Sequence, residues 1–166
     1  MPLIDHNGYT LEHTTNDLRN QLFERISNDL YPNLMFLLLT KRPSNINKYI
    51  PDTWKVTPPT NVMFGTSPVN QATANTLINQ LLEVKGNKFL SVEPQLDEIT
   101  LLPWLQNNSI GWVIQGGESG HHKRPFNINW ARKLKAECHD TNTHYFFKQI
   151  DKIQPIPEDL VVRQFP

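Results

Sequence analysis

The sequence predicts an α/β protein built on a parallel sheet of about five βα units. Short apolar runs, long enough for buried strands, alternate with longer segments of helical periodicity. Each apolar run also ends abruptly in polar residues. The 166 residues are close to the usual size of one domain, and they show no internal repeat and no domain boundary. We therefore expect a single α/β domain over residues 16–166, preceded by an arm or loop at residues 1–15.

The arm is polar and has no clear periodicity, so we predict a loop or a loosely docked segment. A helix follows at residues 16–30, where Thr15 or Asn16 can cap it. Its apolar residues recur at three- and four-residue spacing, which predicts one buried stripe. The stripe consists of Leu18, Leu22, Phe23, Ile26 and Leu30.

Six consecutive apolar residues at 34–39 predict a first strand that is buried on both faces. The other predicted strands are residues 61–64, 88–92, 110–115 and 144–147. The helical segments between them are residues 44–49, 70–84 and 130–139, with a helical turn at 101–105. Gly86 ends the helix at residues 70–84, and Asn127 or Asn129 caps the helix at residues 130–139. A last apolar piece covers residues 160–162.

Composition excludes several classes of protein. Sixteen basic and sixteen acidic residues cancel, so no overall field attracts nucleic acid or anionic lipid. The single cysteine, Cys138, excludes an intramolecular disulfide and a multi-cysteine iron–sulfur site within this chain. No run reaches the roughly 20 apolar residues needed to span a bilayer, and no signal-peptide layout is present. We expect a cytoplasmic protein without a membrane contact.

The polar residues at the strand ends predict a shared site, because ligands of parallel α/β folds bind outside the carboxyl ends of the strands. We predict no metal ligands, and the spacing assigns no catalytic residue. The predicted ligand-binding residues are Thr40, Lys41, Arg42, Gly65, Ser67, Glu93, Gly116, Gly117, Glu118, Ser119, Arg124, Lys148 and Gln149.

The acidic members of this set suggest hydrogen-bonding roles. Glu93 could act as a base, accept a hydrogen bond from a ribose or an amine, or form an ion pair with Lys148, and we favour the last two roles. Glu118 could accept from an amino group of the ligand. The amides of Gly116 and Gly117 would line the floor of the pocket.

The basic members suggest an anionic ligand. Lys41 and Arg42 could bind phosphate or carboxylate, or could be a solvated pair, and Arg124 could be a second anion contact. A local strip of Lys41, Arg42 and residues 121–124 leaves nucleic acid open as a partner, although the net charge does not support it. The adjacent His121 and His122 point apart, so we expect exposed loop histidines rather than a metal site. No nucleophile motif, Walker loop or G-x-G-x-x-G is present.

A series of ordered motifs resembles a known family. The chain is similar to a phage- and prophage-associated family of uncharacterised three-cysteine-motif proteins that is related to radical S-adenosylmethionine enzymes. The resemblance covers residues 17–166. The motifs are Leu-Leu-Thr-Lys-Arg-Pro (38–43), Gly-Thr-Ser-Pro-Val-Asn-Gln (65–71), Leu-Ser-Val-Glu-Pro (90–94), Trp-Val-Ile-Gln-Gly-Gly-Glu-Ser-Gly (112–120), Arg-Pro (124–125), Phe-Phe-Lys-Gln (146–149) and the closing Leu-Val-Val-Arg-Gln-Phe-Pro (160–166).

The resemblance implies an incomplete TIM-like, radical-SAM-like parallel barrel. Relatives open with a cysteine motif proposed to hold a 4Fe–4S cluster, and this chain has no such motif. A cluster of this kind needs about three or four thiolates. S-adenosylmethionine and the 4Fe–4S cluster are therefore expected only in a full-length relative or with a partner chain. The Gly-Gly-Glu here follows a late strand, so Glu118 receives no S-adenosylmethionine role.

Two explanations of the absent cysteine motif stay open. The chain is a truncated or split product that needs a partner, or a short relative that keeps the pocket alone. A partial barrel leaves open strand edges, so we expect a second copy or a partner chain to pair with them, or residues 1–15 to fold over the gap. The first functional hypothesis is a phage-derived partial barrel that binds a nucleotide-like or anionic ligand. The alternatives are a non-catalytic interaction module and half of a split nucleic-acid-processing enzyme.

Overall fold

The computed structural model describes residues 2–4 and 10–166. It contains a parallel sheet of five strands, β3 to β7, which stand side by side in the order of the sequence. A separate antiparallel pair, β1 (Pro2–Ile4) and β2 (Thr10–Thr14), precedes it. The strands of the parallel sheet are β3 (Phe36–Thr40), β4 (Val62–Thr66), β5 (Asn87–Val92), β6 (Trp112–Gly116) and β7 (His144–Gln149). The predicted α/β class with a parallel sheet is confirmed.

Six α-helices accompany these strands in the described ranges. They are α1 (Thr15–Ser27), α2 (Ile46–Tyr49), α3 (Asp52–Val56), α4 (Gln71–Leu82), α5 (Leu102–Leu105) and α6 (Ile128–Asp140). Short 3-10 helices at Pro43–Asn45 and Glu158–Leu160 complete the chain. Consecutive parallel strands joined by right-handed connections place the connecting helices on one face of the sheet.

The core reflects this one-sided arrangement. The larger apolar cluster joins one face of the sheet to the helices, and it includes Phe64, Leu90 and Phe147 from the strands. The smaller cluster lies on the opposite face and is formed by strand residues alone. Its members are Met63, Phe89 and Trp112, with Ile114 and Phe146 packed beside them. A barrel has the same strand order and the same helix-free inner face, but in the described part of the chain β3 and β7 are separate edges and do not close one.

The two edges differ. Edge strand β7 is covered by the end of the chain, where the Phe147 amide donates to Val162 O at 3.1 Å and the Gln164 amide donates to Tyr145 O at 3.1 Å. Edge strand β3 pairs with β4 alone among the described strands. The prediction that β3 is buried on both faces is wrong, because Leu37 is 40% exposed and Leu39 is 50% exposed. Both belong to an edge strand whose helix-free face is uncovered.

The predicted stripe of the first helix is also only half correct. Phe23 and Ile26 are buried, but Leu18, Leu22 and Leu30 are exposed. Helix α1 packs beside an edge strand and not over the middle of the sheet, so only a narrow part of its surface meets the core.

Two elements were not predicted. Helix α3 is short and is held by a tertiary contact. Its Trp54 is buried, and Trp54 Nε1 donates to Ser27 Oγ at 2.9 Å. At the N-terminus, the described part of the expected arm or loop contains the β1–β2 pair, which is not joined to the parallel sheet. The part of that prediction that concerns residues 1 and 5–9 lies outside the described residues. Thr14 and Asp17 then cap α1 reciprocally, so the helix begins directly after β2.

Candidate functional site at the carboxyl edge of the sheet

The parallel register brings the carboxyl ends of all five strands to one edge of the sheet, which we call the carboxyl edge. Thr40 lies beside Thr66, whose Oγ1 donates to Thr40 O at 2.9 Å. Val92 lies beside Gln115 on the next pair of strands. The predicted residues that follow these strands therefore lie along a common edge, as the sequence argument requires. Their binding of a ligand stays a prediction.

The centre of the carboxyl edge is a cluster around the Glu93 carboxylate. Lys148 Nζ lies 3.0 Å from Glu93 Oε2, and Gln149 Nε2 donates to Glu93 Oε1 at 3.3 Å. The same Gln149 amide group lies 3.3 Å from Gly117 O. The ion pair with Lys148 is thus one of the roles that the sequence suggested for Glu93.

A bulge explains how two adjacent side chains reach one carboxylate. Neighbouring residues of a regular strand point to opposite faces of the sheet. Here Gln115 pairs with Phe147 and Gly116 pairs with Gln149, so Lys148 is an extra residue in β7. The extra residue re-aims the side chains at the end of the strand. As a result, both Lys148 and Gln149 contact Glu93.

The two glycines at the end of β6, Gly116 in the strand and Gly117 directly after it, allow other parts of the chain to approach closely. A Cβ on Gly117 would overlap Ile150 O and would lie 2.9 Å from Phe126 Cβ. The Gly117 amide donates to Gln149 O at 3.0 Å, so it is already satisfied within the protein. That Gly117 lines the floor of a pocket stays a prediction. A Cβ on Gly116 would lie 3.5 Å from Glu93 Cδ, so the absent side chain leaves the carboxylate against the backbone.

Glu118 and Arg124 bind each other. The Arg124 side chain donates Nε to Glu118 Oε2 at 2.8 Å and Nη2 to Oε1 at 2.6 Å, and its backbone amide adds a third hydrogen bond at 2.9 Å. These hydrogen bonds lower the pKa of Glu118 to about 2, since they favour the charged carboxylate. The two residues were predicted as separate ligand contacts. The structure uses them to close the loop between residues 118 and 124.

The remaining predicted residues differ in accessibility. Lys41 and Arg42 are exposed after β3, at the opposite end of the carboxyl edge from Lys148. Gly65 is covered by the ring of Phe89, where a Cβ would overlap it. Ser67 is buried, whereas Ser119 is exposed in the loop after β6. The cluster around Glu93 is thus the part of the predicted site that direct side-chain contacts assemble.

Sequence reasoning missed a buried polar chain beneath this cluster. The Tyr145 hydroxyl donates to Gln115 Oε1, and Gln115 Nε2 donates to Gln95 Oε1. Gln95 Nε2 then donates to Asp97 O at 2.7 Å. All three side chains are buried, and burial raises the pKa of Tyr145 above its ordinary value. Gln115 was visible as the one amide in an otherwise apolar strand, but its partners lie on other elements.

Asp151 was also missed, and it changes the electrostatics of the basic loop. Its carboxylate lies 2.8 Å from Lys123 Nζ and accepts the backbone amides of Ile153 and Gln154. These hydrogen bonds hold the pKa of Asp151 below its ordinary value. Lys123 and Arg124 are therefore each paired with a carboxylate. His121 and His122 are exposed, as predicted.

Within the described residues, no three His, Cys, Asp or Glu side chains lie close enough together to hold a metal ion. Cys138 is buried on α6, and burial raises the pKa of its thiol to about 12. None of the helices in this part of the chain has the length and apolar character to cross a bilayer.

Comparison with known proteins gives a family but no function. No curated protein and no solved structure matches the chain significantly. A family model described as a protein of unknown function (DUF5131) matches residues 10–159. The matched region contains the whole parallel sheet and the cluster around Glu93, and we conclude that the chain belongs to this family.

Proposed function

We propose that the carboxyl edge binds a small nucleotide-like or anionic ligand, with Glu93, Lys148 and Gln149 as its polar centre. The observation that carries the proposal is the convergence of these three side chains at the end of a parallel sheet, where α/β proteins hold their ligands. The Lys148 side chain is 48% exposed and the Glu93 side chain 19% exposed. An incoming phosphate or carboxylate can therefore reach the ammonium group, while Glu93 accepts a hydrogen bond from a hydroxyl or amino group.

An apolar surface adjoins this polar centre. Phe89 and Ser91 are two positions apart in β5, so they face the same side of the sheet, and Glu93 directly follows this strand. Trp112 and Phe146 lie on that side as well, and their ring centroids are 6.3 Å apart. Phe146 is only partly buried. Apolar rings beside a few polar groups are typical of a small-molecule site, and the combination suits a ligand with one planar and one charged part.

We also propose the finer relationship that the motifs suggest, a phage-derived protein of radical-SAM-like ancestry that acts in the cytoplasm. The parallel strands in sequential order and the helix-free inner face support it. The chain has one cysteine, and its thiol is buried. A 4Fe–4S cluster with S-adenosylmethionine would therefore require thiolates from a partner or from a longer relative. A nucleic-acid-processing role is less favoured, because carboxylates already pair with Lys123 and Arg124.

Isothermal titration tests the ligand site. The panel consists of S-adenosylmethionine, adenosine and adenine nucleotides, each titrated into the wild-type protein, Lys148→Met and Glu93→Gln. We expect at least one member to bind the wild type and to lose about tenfold or more of its affinity in Lys148→Met, because a charge-assisted hydrogen bond is removed.

The control is Lys133→Met, which removes a comparable ion pair with Glu98 (2.6 Å) on the helix side of the sheet. Its affinity should equal that of the wild type. The proposal would be contradicted if the wild-type protein bound no member of the panel, or if wild type and Lys148→Met bound with equal affinity.

A further inference from the structure

A groove about 500 Å³ in volume lies beside the open edge of β3. Its walls come from α1, from the segment of α2 and from β3 itself. We call it the β3 groove. It borders the carboxyl edge at Thr40 and Arg42 but extends away from the cluster around Glu93. Its lining residues are Arg19, Leu22, Phe23, Leu37, Leu38, Leu39, Thr40, Arg42, Asn45, Ile46, Tyr49, Ile50 and Phe64.

The backbone of β3 has unused hydrogen-bonding groups at this edge. The Phe36 amide donates to Asn61 O at 2.8 Å, and Phe36, Leu38 and Thr40 continue the ladder with β4 in alternate steps. The peptide groups of Leu37 and Leu39 therefore point away from β4, towards the groove. The strand itself lacks three common forms of edge protection, since β3 contains no charge and no proline, and its pairing with β4 has no bulge.

The opposite edge shows how this chain covers a strand when its own residues are available. Residues 162–164 pair with β7, and Phe146 and Arg163 form an antiparallel bridge. No described segment does the same for β3. The contrast indicates that the β3 edge is built for a strand that this part of the chain does not supply.

The chemistry of the groove specifies the charge of that strand. Apolar side chains form most of the wall. Among the described residues that line the groove, the charged ones are Arg19 and Arg42, and none is a carboxylate. The Arg19 guanidinium lies 4.3 Å from the centroid of the Tyr49 ring and donates Nη2 to Asn16 Oδ1 at 2.9 Å. Its Nε is buried without a hydrogen-bond partner. A buried donor of this kind favours an incoming acceptor.

We propose that the β3 edge binds an extended segment of a partner protein in which apolar residues alternate with acidic ones. The backbone of the segment pairs with the peptide groups of Leu37 and Leu39, as in other cases of strand addition. Successive side chains of a strand point to opposite faces. One set therefore packs beside the exposed Leu37 and Leu39 side chains, and the other set brings carboxylates to Arg19.

Fluorescence polarisation with labelled synthetic peptides tests the proposal. The acidic probe is Thr-Val-Glu-Val-Glu-Val-Thr with blocked ends. One control probe carries lysine in place of glutamate, and a second is the acidic probe with alternate backbone amides methylated. We expect the wild-type protein to bind the acidic probe at least about tenfold more tightly than either control, because each control removes a charge-assisted or a backbone hydrogen bond.

Protein variants locate the binding site. Leu39→Pro removes an amide that faces the open edge and leaves the ladder with β4 intact, so it should fold and lose binding of the acidic probe. Arg19→Glu should reverse the preference, so that the lysine probe binds more tightly. Arg25→Glu is the matched control, because Arg25 lies on the same helix, outside the groove, and contacts Tyr31. Circular dichroism and thermal unfolding verify that each variant is folded.

Four results would overturn the proposal. They are absence of binding by the acidic probe up to millimolar concentration, equal binding of all three probes, binding that survives both Leu39→Pro and Arg19→Glu, and self-association of the protein that Leu39→Pro abolishes. The last result would identify a second copy of this chain as the occupant. None of these experiments depends on a ligand at Glu93, so the groove can fail while the ligand proposal stands.

Discussion

At Gly117, one backbone approach fixes the geometry of the candidate site. Its amide is bonded to Gln149 O, and its carbonyl lies beside the Gln149 side chain that contacts Glu93. The backbone at Gly117 and the backbone after β7 approach so closely that Ile150 O occupies the space that a Cβ on Gly117 would need. A side chain here must therefore push the loop after β6 away from the end of β7.

We predict that Gly117→Ala lowers the free energy of unfolding by about 2–3 kcal/mol, since overpacking against backbone cannot be relieved by a rotamer change. Gly111→Ala is the matched control. Its Cβ would lie no closer than 3.7 Å to Lys88 O, an ordinary contact, so its stability should change little. Urea unfolding measures both variants. Equal midpoints for the two would show that the close approach at Gly117 is not a constraint.

Among the elements, α4 is positioned by its N-cap residue, Asn70. Asn70 Oδ1 accepts the Thr73 amide at 2.9 Å, and Thr73 Oγ1 accepts the Asn70 amide at 3.0 Å. This reciprocal cap leaves four residues between β4 and the helix, so it fixes the loop that borders the carboxyl edge. The helix then buries Ala74, Ile78 and Leu81 against the sheet.

Replacing the cap should cost measurable stability. We expect Asn70→Ala to lower the free energy of unfolding by about 1 kcal/mol, the usual effect of losing a side-chain N-cap. Thr76→Ala changes an exposed residue of the same helix and should stay within about 0.5 kcal/mol of wild type. Chemical unfolding with far-ultraviolet circular dichroism distinguishes them. A stable Asn70→Ala protein would mean that packing alone positions α4.

At the scale of the whole molecule, the two edges of the parallel sheet differ in whether another segment covers them. The C-terminal segment covers β7 and also places Phe165 against the helix-free face, 5.6 Å from Trp112 and 5.5 Å from Phe146 between ring centroids. The same few residues thus protect an edge and part of an apolar face. At the other side of the sheet, β3 has no second neighbour among the described strands, and its Leu37 and Leu39 side chains are exposed.

We predict that deletion of residues 161–166 lowers the thermal midpoint and promotes association, because it uncovers the β7 edge. Light scattering coupled to size-exclusion chromatography measures the association. Phe165→Ala separates the two effects, since it removes the ring but keeps the backbone pairing of residues 162–164. This variant should lose some stability without gaining association. A truncated protein that is as monomeric and as stable as the full chain would contradict the prediction.

Much of the fold could be predicted because its signals are local. The apolar run before Thr40 and the periodicity that places Phe23 and Ile26 on one buried stripe each lie within a few residues of sequence. The run could not show that β3 is an edge strand, since its composition is that of a central strand. Helix α3 was missed for a related reason, because it is held by the contact between Trp54 and Ser27, residues 27 positions apart.

The sequence by itself determined the α/β class, the five parallel strands and the common edge at which their polar ends meet, because strand and helix periods are written in neighbouring residues. Only the tertiary structure decided which charges pair there. Glu93 and Lys148 are 55 positions apart, and their contact depends on strand register and on one extra residue in β7. Register and bulges follow from the packing of whole strands against one another, and no short stretch of sequence contains that information.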